Sequence, residues 1–199
     1  MGDDTIRNFG VVIAICGAIA LFGGTTFAVW TFNVESKSDF GDGEFEYKFG
    51  VTEVEYDASF DGDSESDSFE YDSSDCDCND LEDFFANLQM MFYALIACGI
   101  GLAYLGNSGE MDNVPTLAGV TALLSIAILA YTFMSLPEAW EEETEWFEQF
   151  DEDPAFFKNA EADDEGGDRE LNAMPSIGFF LPVVSLTLAG LLVKPELMD

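Results

Sequence analysis

The sequence predicts an all-α integral membrane four-helix bundle with a small extracytoplasmic antiparallel β-sheet in its first long loop, α+β overall. Three observations predict this class. Of the 199 residues, 48% are hydrophobic, and yet the formal net charge is −34. Long uncharged runs also alternate with strongly acidic stretches along the chain. Apolar and acidic residues therefore occupy separate segments, which is typical of a membrane protein with acidic loops.

Four uncharged runs have about the ~20 residues that a helix needs to cross a bilayer. They cover residues 9–32, 84–105, 114–136 and 175–193 and are predicted as transmembrane helices. A helix that packs in a soluble globular domain has a charged face toward water, and none of these runs has such a face. The first run is too long for a signal-peptide core, so it is expected to remain as an anchor.

Most of the 40 acidic residues lie in two segments, with 19 in residues 33–83 and 15 in residues 137–174. After four crossings these two segments share one side of the membrane. The short segments share the other side, and they cover residues 1–8, 106–113 and 194–199. Because Arg7 and Lys194 adjoin helix ends on the short-segment side, both termini are predicted to be cytoplasmic and the acidic loops to face outward from the plasma membrane.

The first acidic segment has the period-two pattern of β-strands. Apolar residues alternate over residues 45–51 and again over 54–60, with a change of parity that predicts a turn or bulge between them. The alternation also covers residues 30–34 and the pair at 69 and 71. We expect two to four antiparallel strands with one apolar and one acidic face.

The second acidic segment is predicted to open a new amphipathic helix at Pro137, with Trp140, Phe147 and Phe150 on one stripe. These aromatic side chains suit either the membrane interface or the apolar face of the sheet. The sheet is favoured, because the neighbouring glutamates would be repelled by anionic lipid headgroups. Residues 159–169 are interpreted as a flexible acidic hinge.

Small residues recur every fourth position in three of the helices, a spacing that lets membrane helices approach closely. The residues expected to form helix-packing contacts are Cys16, Ala20, Gly24, Ala28, Ala97 and Gly101. Contact between copies of the chain is the alternative use of these residues. Pro175 is expected in the first turn of the fourth helix, and Pro182 is expected to kink that helix.

The stretch from Asp61 to Asp80 contains the candidate metal ligands. Asp61, Asp63, Glu65 and Asp67 alternate as hard oxygen donors for loosely bound Ca²⁺. The EF-hand pattern fails, because the sixth position is not glycine and the twelfth is not glutamate. A solvated acidic surface suited to a saline, halophilic environment is the alternative.

Cys76 and Cys78 are the candidate disulfide residues, since an extracytoplasmic face favours oxidised cysteines. A bond between them would close a very small ring, and bonds across a dimer are equally compatible with the sequence. A two-thiolate metal site ranks below both, because further soft ligands are lacking.

The chain has no histidine, which excludes the common nucleophile–histidine pairs and imidazole ligands. The predicted spans also contain no ionisable side chain apart from cysteine and tyrosine, which disfavours an ion-coupled transporter. We therefore predict no enzyme activity, no resident cofactor and no nucleic acid partner.

The predicted architecture is similar to that of claudin-type proteins, with four spans, cytoplasmic ends and a stranded first loop that continues from the first helix. The likeness covers topology and no motif. The family's Gly-Leu-Trp sequence is absent, Trp30 lies at the end of the first run, and one residue separates Cys76 from Cys78. The resemblance implies adhesion or barrier formation at the cell surface, with acidic residues that select cations.

Three functions follow as expectations from these features. The first is a non-catalytic accessory or scaffold subunit whose acidic loops and small-residue helix faces contact other membrane-protein subunits or its own copies. The second is the claudin-like role, and the third is a small cation-selective channel or carrier. Membrane lipids are expected partners in all three.

Overall fold

The computed structural model describes residues 2–38, 41–71, 79–144, 146–164 and 167–193. Four apolar helices pack together, and six strands form one antiparallel sheet at one end of them. The elements are α1 (Asp3–Phe22), β1 (Trp30–Ser38), β2 (Gly41–Phe49), β3 (Glu53–Phe60), β4 (Asp63–Glu70), α2 (Asn79–Ser108), α3 (Val114–Thr144), the single turn α4 (Trp146–Gln149), β5 (Lys158–Asp164), β6 (Gly167–Pro175) and α5 (Leu181–Val193). Short 3-10 turns precede β1, α3 and α5.

Three of the helices are long and apolar enough to cross a membrane. The most apolar 18 residues have a mean hydropathy of 1.9 in α1, 1.8 in α2 and 2.0 in the range Met111–Glu142, which contains most of α3. The fourth apolar helix is α5, and together with its preceding 3-10 turn it covers Ile177–Val193 and is shorter than the other three. The four predicted helices and the antiparallel sheet are therefore confirmed as elements of the fold.

The ends of the first and fourth helices differ from the prediction. α1 ends at Phe22, because Gly24 adopts a left-handed conformation with φ of 56°, and Trp30 already belongs to β1. Pro175 is the last residue of β6 and does not lie in a helix. Pro182 is the second residue of α5, so it marks the start of the helix and does not kink its interior.

The second acidic segment also differs from the prediction. Pro137 lies inside α3, which continues to Thr144, so no new helix opens there. Most of the predicted hinge belongs to the β5–β6 hairpin. The hairpin forms because Ala160, Leu171 and Ala173 are buried on the inner face of the sheet, and because β6 pairs with β1 along most of its length.

The strand order is β4-β3-β2-β1-β6-β5, so β1 is a central strand. Trp30 of β1 lies opposite Phe49 of β2 and Pro175 of β6. The predicted change of parity coincides with the turn at residues 50–52, between β2 and β3. The sheet has six strands because the second acidic segment supplies two of them.

Glycines form the contact between α1 and α2. Gly10 faces Gly99, and a Cβ added to Gly99 would lie 2.5 Å from the backbone nitrogen of Ala14. One heptad further along, a Cβ on Gly106 would lie 2.5 Å from the backbone nitrogen of Arg7. Seven-residue spacing keeps these glycines on one helix face, and the two backbones pack directly against each other.

The small residues predicted for helix packing lie in different environments. Cys16 and Ala20 of α1 are buried, and Ala28 is buried beyond the end of the helix. Gly24 lies in the 3-10 turn that follows α1. Ala97 is exposed on α2.

The last of these residues, Gly101, is half-buried beside the Leu117 side chain of α3. Gly10, Gly99 and Gly106 mark a close backbone approach of α1 and α2, and the use of the four-residue stripe as a packing seam stays a prediction.

Candidate partner-binding surface

Aromatic side chains attach the inner face of the sheet to the helices. The Trp140 ring of α3 lies 4.8 Å from Tyr47, 5.0 Å from Phe49 and 5.7 Å from Phe32, measured between ring centroids. The Phe147 ring also packs on Phe32, with 5.5 Å between the ring centroids. The prediction that aromatics of the second acidic segment cover the sheet is confirmed.

Two further contacts fix the position of the sheet. The Trp30 indole nitrogen donates a 2.9 Å hydrogen bond to the carbonyl oxygen of Phe156. Tyr71 stacks on Phe85 of α2 at 4.0 Å, and its hydroxyl donates to the carbonyl of Gly50 at 3.0 Å. Burial raises the pKa of the Tyr71 hydroxyl well above its ordinary value, so it remains a donor. The sheet is therefore joined to both α2 and α3.

The opposite side of the sheet, which we call the acidic face, points away from these aromatic contacts. Alternate residues of each strand share this face. Its charged residues include Glu35, Lys37, Asp42, Glu44, Glu46, Lys48, Glu53, Glu55, Asp57, Glu70, Glu161, Asp168 and Glu170. Carboxylates greatly outnumber ammonium groups in this set.

A row of four glutamates crosses the acidic face. Glu161 of β5 lies opposite Glu170 of β6, which lies opposite Glu35 of β1, which lies opposite Glu44 of β2. Directly opposed side chains have Cβ atoms about 5 Å apart, and like charges at that distance destabilise a sheet. We call these residues the glutamate row.

An uncharged row lies beside it. Asn159, Asn172 and Asn33 face each other across β5, β6 and β1. The Asn33 amide nitrogen donates a 3.0 Å hydrogen bond to the carboxylate of Glu44, which stabilises one end of the glutamate row.

The double substitution Glu35→Gln and Glu170→Gln is expected to stabilise the fold by about 1 kcal/mol at low salt, because it removes like-charge pairs. At about 1 M NaCl the gain should vanish, since screening shortens the Debye length to about 3 Å. Thermal unfolding in detergent at both salt concentrations measures this. Glu65→Gln is the matched control, because Glu65 lies opposite Ala58. A gain that persists at high salt would contradict the electrostatic explanation.

One ammonium group joins three carboxylates elsewhere on the acidic face. The Lys48 nitrogen lies 2.8 Å from Asp57, 3.0 Å from Glu55 and 3.2 Å from Glu46. The Thr25 hydroxyl, just beyond α1, donates a 2.9 Å hydrogen bond to Glu55. This Lys48 cluster ties β2 and β3 to the end of α1.

The cluster shifts the acidity of its members. The hydrogen bond to Asp57 is the main reason that the pKa of Lys48 rises above its ordinary value. The hydrogen bond from Lys48 is the main reason that the pKa values of Glu55 and Asp57 fall below theirs. The two carboxylates therefore stabilise the fold above about pH 4, and this contribution is lost as the pH falls through their lowered pKa values.

Lys48→Met is expected to destabilise the fold by about 1 kcal/mol at low salt, because three carboxylates lose their common counter-charge. The difference from wild type should shrink at high salt and below about pH 4, where the carboxylates are neutral. Thermal unfolding at several salt concentrations and pH values measures this difference in stability. Lys37→Met is the control, since the Lys37 ammonium is 3.9 Å from Glu35 and 66% exposed. An equal loss in both variants would contradict a specific role for the cluster.

The structure does not bring the predicted calcium ligands together. Asp61 lies in the β3–β4 turn with φ of 51°. Asp63, Glu65 and Asp67 follow along one face of β4, where alternate residues are about 6–7 Å apart. Within the described ranges, no three acidic or cysteine side chains lie close enough to hold a metal ion.

The predicted disulfide residues Cys76 and Cys78 lie outside the described residues, so their pairing stays a prediction. Cys16 of α1 and Cys98 of α2 are free thiols.

Two features of this surface were not predicted. The glutamate row requires the pairing of β1 with β6, whose residues lie more than a hundred positions apart, and no local pattern reveals that register. The Lys48 cluster was also missed, although Lys48 alternates with acids within the strand pattern of residues 45–51.

Two comparisons with known proteins found no match. No protein-family model matches the chain, and no curated protein matches it. The geometry of the sheet and the helices is therefore the basis for the function proposed below.

Proposed function

We propose that the chain is an integral membrane protein in which the four apolar helices lie in the bilayer. The outward faces of the helices support this. On α2, the exposed fractions of Met90, Tyr93, Ile100 and Tyr104 are 70%, 51%, 59% and 64%. A soluble bundle would place charged side chains at such positions. The shortest of the four apolar helices is α5, and with its preceding 3-10 turn it spans roughly 27 Å, close to the thickness of the hydrocarbon layer.

We further propose that the membrane is the plasma membrane, with the termini in the cytoplasm and the sheet outside. The support is that basic residues adjoin the helix ends on the side away from the sheet. Among the described residues, the example is Arg7, near the start of α1. An accessibility assay with single cysteines at Ser64 and Ser108, in a variant whose four native cysteines are replaced by serine, tests this orientation. A membrane-impermeant thiol reagent should label the Ser64→Cys variant in intact cells and leave Ser108→Cys unlabelled.

Within that membrane we propose a non-catalytic accessory or scaffold subunit. The ring contacts of Trp140 and Phe147 with the sheet carry this proposal, because they fix the inner face of the sheet on the helices and leave the acidic face open to solvent. A rigid acidic platform of this kind fits a partner subunit with a basic surface, since complementary charge speeds association and disfavours other partners. Nucleic acid, which is itself anionic, does not fit.

Isolation of the full chain from its own membrane in mild detergent tests the proposal. Native mass measurement should find the chain together with a different, larger subunit. Glu35→Lys, at the centre of the acidic face, should release that subunit. Asp63→Lys, on the opposite side of the sheet, should retain it. A particle that contains only this chain would refute the accessory role.

A second candidate is the claudin-like adhesion or barrier role. The observation that favours it is the continuity of the sheet with the helices, since β1 follows α1 and β6 leads into α5. This role predicts a homo-oligomer in the native mass measurement and aggregation of cells that express the chain. Cation-selective conductance in liposomes would instead favour the channel or carrier hypothesis.

A further inference from the structure

A polar groove lies where the sheet meets α1 and α5. Its volume is about 430 Å³. Its lining includes Thr26, Thr31, Glu46, Lys48, Glu55 and Ser176. We call it the junction groove.

The position of the junction groove places it at the membrane surface if the helices lie in the bilayer. Thr26 follows the end of α1 by four residues, and Ser176 directly precedes the 3-10 turn that leads into α5. Both apolar helices therefore reach their sheet-side ends beside the groove. In a bilayer this is the level of the lipid headgroups.

The hydrogen-bonding groups in the groove favour an uncharged ligand. The hydroxyls of Thr26, Thr31 and Ser176 make no side-chain hydrogen bond to any described residue. The three N–H groups of Lys48 are matched by the three carboxylates of its cluster, so none remains for a phosphate. Carboxylate acceptors and free hydroxyls complement the O–H groups of a polyol.

Exposed apolar side chains border the groove on its helix side. Met174 lies opposite Thr31 in the β1–β6 register and is 46% exposed. Ile177, which directly follows Ser176 in the chain, is 57% exposed. A polar groove with such a border suits an amphipathic ligand.

We propose that the junction groove binds the uncharged, polyhydroxylated headgroup of a membrane lipid, while the lipid's chains lie along Met174 and Ile177. This inference rests on the membrane embedding proposed above. The groove hydroxyls and the carboxylates of Glu46 and Glu55 hydrogen-bond the headgroup, and the uncompensated negative charge of the groove repels anionic lipids.

Native mass spectrometry of the full chain in detergent tests this, with monogalactosyl diacylglycerol or phosphatidylglycerol added at equal mole fraction. The wild type is expected to retain the galactolipid at least about fivefold more than the phospholipid, the equivalent of one net hydrogen bond. The double variant Thr31→Val and Ser176→Ala should lose this preference. Ser64→Ala, on the distant edge strand β4, should keep it.

Unfolding temperatures without added lipid show whether the double variant is folded. If it is not, Thr26→Val alone serves as the test variant. Equal retention of both lipids, or an unchanged preference in the folded variant, overturns the proposal. Equal binding of free methyl galactoside overturns the assignment to a lipid. Release of the wild type from membranes by alkaline extraction would instead refute the embedding itself.

Discussion

Gly99→Ala is expected to destabilise the protein by about 3 kcal/mol, the upper part of the range for overpacked cores. The added methyl group would lie 2.5 Å from the Ala14 nitrogen, 2.8 Å from the Gly10 carbonyl oxygen and 2.9 Å from the Ala14 Cα. These are backbone atoms, so no side chain can rotate away. α1 and α2 must separate, and their long contact is lost.

Gly119→Ala is the matched control, because Gly119 also lies within a helix and an added Cβ there would meet nothing within 4 Å. Helix propensity alone predicts that it is neutral or stabilising by up to about 1 kcal/mol. Thermal unfolding in detergent, followed by circular dichroism, compares the two variants. Similar unfolding temperatures would show that the contact between α1 and α2 tolerates a wider spacing.

Trp140→Ala is expected to cost about 3–5 kcal/mol, the usual range for removing a large buried aromatic side chain. Trp140 is 5% exposed and contacts aromatic rings on both β1 and β2. Its removal should detach the sheet from α3 while the helices stay folded. Limited proteolysis should then cleave the sheet at a protease concentration that leaves the wild type intact.

Two controls separate the causes of this loss. Trp140→Phe should cost much less than Trp140→Ala, because the indole nitrogen has no hydrogen-bond partner among the described residues and the ring contacts are largely kept. Phe60→Ala should change stability by less than about 0.5 kcal/mol, since Phe60 is 54% exposed at the far end of β3. Normal protease resistance of Trp140→Ala would show that the sheet is anchored elsewhere.

The parts of the fold that were predictable are those with strong local polarity patterns. Strands β1 to β3 alternate between apolar and acidic residues, because one face of the sheet packs on Trp140 and Phe147 and the other meets water. The helices α2 and α3 were predicted because their uncharged runs are long. Trp140 was expected to cover the sheet because so many glutamates surround it.

The parts that were missed depend on distant partners. Strand β6 turns only a few apolar residues inward, among them Leu171 and Ala173, and its acids resemble those of a loop. Its pairing with β1 specifies it as a strand. The glycine contact between α1 and α2 was not predicted for a related reason, since glycines seven residues apart indicate close packing only when the partner helix is known.

The central position of β1 also sets an order of assembly. Its neighbour β2 follows at once in the chain, but its other neighbour, β6, is synthesised only after α2 and α3. Until then the hydrogen-bonding edge of β1 is unsatisfied beside a growing polypeptide. Non-local pairing of this kind is slow, and open strand edges are prone to wrong association. Completion of the sheet is therefore expected to be the late folding event, and a nascent chain that stops before β6 should be the species most dependent on chaperones.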